Sequence, residues 1–426
     1  MRALIVAALA AGCGADVAPP PIASDARGGS GDAAATAPIT VDVRARFTGI
    51  PAADAVVAFI PPSGAAVVVP TDVAGRASAV MPAGATVAIA RADFGQSQLT
   101  VIVDVPSGAA LIDGPPLPAT PGGDDLGDRE AAVAPYVGVA QVAASCGGSG
   151  GGFGGQPVRW RQAACARVGD GTVVATGTDP DGQRQYAARR HVDLRDDAVV
   201  ALPAWRPMTT TAVVLTSIPE SVVSASVALT QDDGAVEWHR DFVAAPVEGA
   251  SLVLAVPVVP EPLAAQLEIV AEGVAQRVRL VGRRAPTAPS VAVDLGSTAP
   301  PWLGPPELDL ATRTVAWRYQ GGGGRRPDVA LATLQTSTRG GALTLRVIAP
   351  GTATEVVVPP LPPALAAWDL DASTEVFDGR IIGVDIVGVT DYATAASGVD
   401  QAAWRAEQSG IVQPLDRQRD WWITGR

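Results

Sequence analysis

Between Ile39 and Phe47 the chain alternates without a break: Ile39, Val41, Val43, Ala45 and Phe47 against Thr40, Asp42, Arg44 and Arg46. A period of two is the spacing of side chains on the two faces of a β-strand, so one face of this segment is built for burial and the other for water. Further short apolar runs follow at 56–60, 65–69, 76–81, 86–91 and 99–105, parted by Pro61-Pro62-Ser63-Gly64, Asp72-Val73-Ala74-Gly75 and Pro82-Ala83-Gly84. Proline removes a backbone donor and glycine admits positive φ, so each cluster ends a strand and reverses the chain. The spacing predicts a small antiparallel sandwich over 39–117.

The same stretch carries Gly49-Ile50-Pro51-Ala52-Ala53-Asp54-Ala55-Val56-Val57-Ala58-Phe59, then Thr71-Asp72-Val73-Ala74-Gly75-Arg76-Ala77, then Met81-Pro82-Ala83-Gly84-Ala85-Thr86-Val87. These segments resemble the carboxypeptidase-regulatory-like, transthyretin-type β-sandwich, with its G-x-P strand, T-D-x-x-G-R turn and P-x-G hairpin. The resemblance implies a non-catalytic spacer or contact module and supplies no site. Because the strands and turns form a closed set between two linkers, 39–117 is expected to fold alone.

The rest of the chain keeps this style. Glycine (46) and proline (37) are abundant among the 426 residues, as in turn-rich β-proteins. Asp179-Pro180-Asp181-Gly182, Gln231-Asp232-Asp233-Gly234 and Arg339-Gly340-Gly341 each stand between apolar runs and read as hairpin turns. One amphipathic stretch, Val399 to Gln408, reads as a short helix. The fold class expected is all-β: tandem antiparallel β-sandwich domains, Ig-like or transthyretin-like, after a disordered N-terminal tether. The expected division is 1–12 signal peptide, 13–38 flexible linker, 39–117 first sandwich, 118–130 linker, 131–208 a β domain with a disulfide, 209–297 a sandwich, and 298–426 a C-terminal β-rich domain. No exact internal repeat is visible in the sequence.

The address is read from the first residues. Arg2 is followed by a short apolar run ending Leu9-Ala10-Ala11-Gly12-Cys13, which resembles the lipobox of bacterial lipoproteins, with Ala10 at the outer position and Leu9 one place early. The resemblance implies export and a lipid on Cys13, holding the protein at the cell envelope, on the outer membrane or cell surface, with membrane contact only through that anchor. Residues 14–38 are a Pro, Gly, Ala, Ser and Asp tract with too little apolar content to order itself. With Cys13 lipidated, Cys146 and Cys165 are left to pair as a disulfide in an oxidising compartment. Closing the 18 residues between them stabilises by about 3 kcal/mol in the chain-entropy model. A metal pair is the competing reading, but the spacing is far from C-x2-C and no histidine is close in sequence.

Net charge −12 repels phosphate backbones and anionic headgroups, which argues against a nucleic-acid partner. Lysine and asparagine are absent, a mark of GC-rich coding, so arginine carries every basic charge and its number is no sign of guanidinium chemistry. Gly147-Gly148-Ser149-Gly150-Gly151 matches G-x-S-x-G, yet it runs on into more glycine and then Pro157, where no helix can start, so a glycine-rich loop is expected in place of a nucleophile elbow. His191 falls with Asp193 and Arg195 on a face opposite Val192 and Leu194 and should be exposed. His239 shares a strand face with Glu237 and Asp241; that trio reads either as a partial metal set or, more simply, as a polar outer face. The Asp-rich turns lack the third carboxylate and distal glutamate of a calcium loop. Trp317 and Tyr319, two apart, form either a platform for a sugar ring or a piece of core. Trp421 and Trp422 point to opposite faces, so at least one should be buried. No catalytic residue, metal or cofactor is assigned. The function expected is non-enzymatic presentation of contact domains to an unknown envelope protein or polysaccharide. The alternatives are a carbohydrate-binding or adhesion protein, or an accessory part of an extracellular hydrolase system.

Overall fold

From Ile39 to Val43 burial follows the alternation residue by residue, while Arg46 and Phe47 lie outside the described residues. In β1 (Thr36–Val43) the side chains of Ile39, Val41 and Val43 are buried, while Thr40 and Asp42 between them reach solvent. The computed structural model describes residues 36–45, 49–93, 96–114, 127–145, 148–162, 171–218, 222–231, 236–242, 252–258, 265–272, 277–284, 290–298, 300–320, 326–338, 341–386, 389, 391–407 and 421–425. The expected signal peptide and residues 13–35 of the expected tether lie outside them, while 36–38 already belong to β1 and 127–130 of the second expected linker open a strand, Gly127–Ala132. The described residues are arranged as an all-β protein in several sheets.

The first seven strands set a pattern. β1, β2 (Val56–Ile60), β3 (Val67–Pro70), β4 (Arg76–Pro82), β5 (Ala85–Asp93), β6 (Gln96–Val105) and β7 (Ala110–Asp113) form two layers, β4-β1-β7 and β3-β2-β5-β6. Only β1 and β7 run parallel within this set. Seven more strands repeat the pairing: β8 (Gly127–Ala132), β9 (Val137–Ala144), β10 (Gly148–Phe153), β11 (Val158–Gln162), β12 (Gly171–Thr178), β13 (Arg184–Val192) and β14 (Val199–Ala201). Here β10 also pairs with β11, so the two layers join into one sheet, β14-β8-β11-β10-β9-β12-β13, with β15 (Arg206–Pro207) added at the β13 edge.

A third set comprises β16 (Thr209–Thr216), β17 (Ser224–Gln231), β18 (Val236–Phe242), β19 (Leu252–Val258), β20 (Ala265–Glu272), β21 (Arg277–Arg284) and β22 (Ser290–Asp294), followed by the single turn α1 (Leu295–Thr298). It gives β19-β16-β22 and β18-β17-β20-β21, the same two layers again. The last part runs β23 (Trp302–Leu303), β24 (Glu307–Asp309), β25 (Thr314–Ala316), β26 (Tyr319–Gln320), β27 (Val329–Thr338), β28 (Gly341–Pro350), β29 (Glu355–Val357), β30 (Glu375–Ile386), α2 (Tyr392–Glu407) and β31 (Trp421–Gly425). Its layers are β24-β25-β29 and β28-β27-β30-β31, so β24 stands where the other sets have a seventh strand. Among the described residues one pairing scheme is therefore complete in three sets and kept by six strands of the last, where β24 precedes β25 and pairs with it antiparallel, all without an exact sequence repeat. Strands require alternation and turn residues, and many sequences supply both.

Two departures from the expected sandwiches follow. The sheets are mixed, because β1–β7, β8–β14, β16–β22 and β6–β28 pair in parallel. The first set is also not closed. β6 pairs along Ser97–Ile102 with Leu343–Ile348 of β28, and β31 joins β30 to β21, so one twelve-stranded sheet crosses the first, third and last sets. An exposed strand edge is a row of unpaired donors and acceptors, and pairing edge to edge satisfies it.

That sheet is buried on both faces near its middle. Val57, Phe59, Ile89, Leu331 and Ile348 face β1, β4 and β7, while Ala58, Ala88, Ala330, Leu345 and Val347 on the same strands face β25 and β29. Strands covered on both sides read as near-continuous apolar runs, as Leu343 to Ala349 does apart from Thr344 and Arg346. The helix α2 starts seven residues before the expected stretch because Asp391 caps it, accepting from Thr394 N–H at 2.8 Å. Ala395, Ala396 and Val399 on its inner face complete the first core.

Gly75 shows how tightly a turn can specify its residue. Its φ is +73°, and a Cβ built there would lie 2.5 Å from the Val43 carbonyl oxygen. Gly75→Ala is therefore expected to destabilise by about 1–3 kcal/mol, read as a lower denaturant midpoint at unchanged m-value.

Candidate contact surface

The glycine tract is a strand, not the expected loop. β10 pairs with β9 from Gly148 to Phe153 and with β11 from Ser149 to Gly151. Side chains are excluded by close approach: a Cβ on Gly150 would lie 2.0 Å from the Arg159 carbonyl oxygen, and one on Gly152 would lie 2.6 Å from the Tyr136 hydroxyl. Tyr136 donates to the Gln156 carbonyl at 2.8 Å and meets Trp205 edge to face, and its burial raises the phenol above its ordinary range. Ser149 is exposed on a paired strand, without the strand-to-helix turn that a nucleophile elbow needs.

Beside this strand lies an apolar strip. Val137, Val139 and Phe153 are 60, 52 and 67 % exposed, and Val139 and Phe153 are paired across β9 and β10. Ala140, Val142 and Ala144 hold the opposite face of β9 against Trp160 and Val158. A strip that is apolar on a paired, backbone-satisfied surface can stack or pack against a partner; it has no group able to do acid–base or nucleophilic work.

The acidic turns are hairpins. The Asp179 carboxylate accepts from Asp181 and Gln183 N–H at 3.0 and 2.7 Å, and Asp72 does the same with Ala74 and Arg76 at 2.8 and 2.9 Å. In each turn one carboxylate oxygen takes both amides, the arrangement of an Asx turn. Asp232 and Asp233 lie outside the described residues. His191 is exposed as expected, in the left-handed region at φ +56°. The strand β18 that carries Glu237, His239 and Asp241 is present, but those side chains lie outside the description, as do those of Trp421 and Trp422. Among the described residues no group of three or more His, Cys, Asp or Glu is placed to hold a metal, and no helix is long and apolar enough to cross a membrane. Cys13, Cys146 and Cys165 all lie outside the described residues.

Of the two readings of Trp317 and Tyr319, platform or core, burial favours the core for Trp317. Trp317 is 2 % exposed, packed with Leu303, Val315 and Leu365 in the second core, so its ring offers no open face. Tyr319 donates to the Gly351 carbonyl at 2.6 Å and lies under the Arg326 guanidinium at 3.9 Å. Tyr319 is half-buried, and the Trp317 backbone N–H donates to the Thr354 carbonyl at 2.8 Å, a contact that residue spacing alone does not decide.

The buried charges Arg91, Asp113 and Arg346 escaped the sequence reading. Asp113 is wholly buried and accepts from Thr100 Oγ1 at 3.1 Å and Arg346 Nη1 at 2.9 Å, with Arg91 Nη1 3.4 Å from its other oxygen. Arg91 also donates to the carbonyls of Arg44 and Asp113. The signal was available: Arg91 and Arg346 interrupt apolar runs at positions where alternation demands burial.

No family model matches the chain, and no curated protein matches it. Among solved structures, the TIE protein of Bacillus anthracis aligns over 61 % of this chain and 50 % of its own at 10 % identity, with a TM-score of 0.15. The chain thus spans about half of that protein. The major pilin subunit of Bacillus cereus aligns over 61 % of this chain and 99 % of its own at 10 % identity and TM-score 0.14. A tetra-tandem repeat from the extending region of a large adhesion protein covers 82 % of this chain and 95 % of its own at 12 % identity and TM-score 0.13. Superpositions this loose define no shared site.

Proposed function

We propose that the chain is a non-enzymatic envelope protein, exported and lipid-anchored through Cys13, that presents a stiff series of β-sandwich modules as contact surface. The observation that carries this reading is the repeated use of one strand-pairing scheme, complete in three sets and nearly so in the fourth, with three of the four sets joined edge to edge into a single sheet. Edge pairing fixes the modules relative to one another along the sheet, which suits a spacer that holds a binding face away from its anchor. The strip Val137, Val139 and Phe153 supplies an apolar face of the kind that buries on contact. Its partner is an envelope protein or polysaccharide.

Two measurements test the reading. Cys13→Ser should move the expressed protein from the detergent phase to the aqueous phase; an unchanged membrane fraction would remove the anchor. The pair Val139→Ser and Phe153→Ser should leave the melting temperature within a few degrees, since both side chains are exposed, while lowering retention on isolated envelope material at least tenfold. Undiminished retention would place the contact face elsewhere.

A further inference from the structure

The parallel junction between β6 and β28 is poorly specified by its apolar residues. On the face toward β25 and β29, Leu99 sits opposite Leu345 and Val101 opposite Val347. A slip of two residues would set the same pair against Leu343 and Leu345, or against Val347 and Ala349, again apolar on apolar. Slips of two keep every side chain on its face, so burial alone hardly discriminates among these registers.

The other face differs. There Thr100 sits opposite Arg346 and Ile102 opposite Ile348, so polar meets polar and apolar meets apolar only in the observed register. Asp113, reaching across from the end of β7 in the facing layer, accepts from both Thr100 and Arg346 through one oxygen. A two-residue slip carries Arg346 opposite Ile102 in one direction and opposite Gln98 in the other, away from the partner of Thr100. We propose that the buried triad Arg91–Asp113–Arg346 is a register lock: it selects one alignment of β6 on β28, and so one docking of the first strand set on the last, without adding stability over an apolar filling. Buried ion pairs replaced by apolar groups of like volume often leave stability unchanged, and the best-attested role for such groups is the choice of register.

The test is disulfide trapping in the full chain, with the bonded pairs assigned by peptide mass mapping. Gln98→Cys with Thr344→Cys reports the observed register, and Gln98→Cys with Ala342→Cys reports the slip. In the native background the first pair should form at least tenfold more disulfide than the second. In Arg91→Met/Asp113→Leu/Arg346→Met the two yields should come within about threefold, with a cooperative melt retained. A triple variant that folds and still traps only the observed pair overturns the lock. One that fails to fold overturns it equally, because the triad would then be needed for folding itself. Asp113→Asn, which keeps the shape and removes the charge, gives a second reading: the slipped pair should gain yield there too, and no gain counts against the proposal.

Discussion

Asp113→Ala is expected to destabilise the chain by about 3–5 kcal/mol, the usual cost of breaking a buried ion pair from one side. The carboxylate is fully buried and is the acceptor for Arg346 and Thr100, with Arg91 paired on its far side. Removing it takes the carboxylate away from both the Arg91 and Arg346 guanidinium groups and deprives Thr100 of that acceptor. Water cannot readily enter, since Arg91 is only 2 % exposed. Equilibrium denaturation followed by tryptophan fluorescence would show the loss as a lower midpoint. A change below about 1 kcal/mol would mean that the site relaxes or hydrates, and that the charges are less enclosed than their geometry indicates.

Residues 36–114 expressed alone are expected to lack a cooperative melt, contrary to the independence that their turns and strands suggest. Their own layer β4-β1-β7 covers one face of the sheet, and Phe59, Ile89 and Ile102 pack there. The opposite face carries Ala58, Ala88, Ala90, Leu99 and Val101, which are buried by the last strand set. In the fragment that face meets water, the β6 edge is unpaired, and Asp113 and Arg91 lose Arg346. Each large apolar side chain left exposed forfeits about 1.5–3 kcal/mol, against a total stability of about 5–15 kcal/mol for an ordinary domain. Thermal circular dichroism of the fragment decides the matter: a sharp, reversible transition like that of the whole chain would show that the sandwich closes without β28.

Much of the local structure was legible. The alternation of Ile39, Val41 and Val43 against polar neighbours gave β1 its inner face, and Asp72 and Asp179 with the glycines three residues on gave turns of the kind observed. The glycine tract was misjudged because glycine's ordinary meaning is freedom. Here it serves the opposite end, allowing Arg159, Trp160 and Tyr136 to press against the β10 backbone. Trp317 was ambiguous for another reason: a ring two residues from another ring is equally suited to a surface or a core, and only the layer above it decides.

By itself the sequence determined what depends on neighbours a few residues apart: strands from a period of two, reversals from Pro, Gly and Asp, and an all-β chain with one helix of note. Only the tertiary structure decided which strand edges meet. The recurring strand pairing, the parallel joining of β6 to β28, and the enclosure of Arg91, Asp113 and Arg346 rest on contacts between residues distant in the chain, 233 apart for Arg346 and Asp113 and farther still for Leu343 and Ser97. Backbone hydrogen bonding between strands carries no side-chain code, so a free edge accepts any strand of suitable length. What selects among them is the fit of buried faces and charges, and that exists only once the layers have come together.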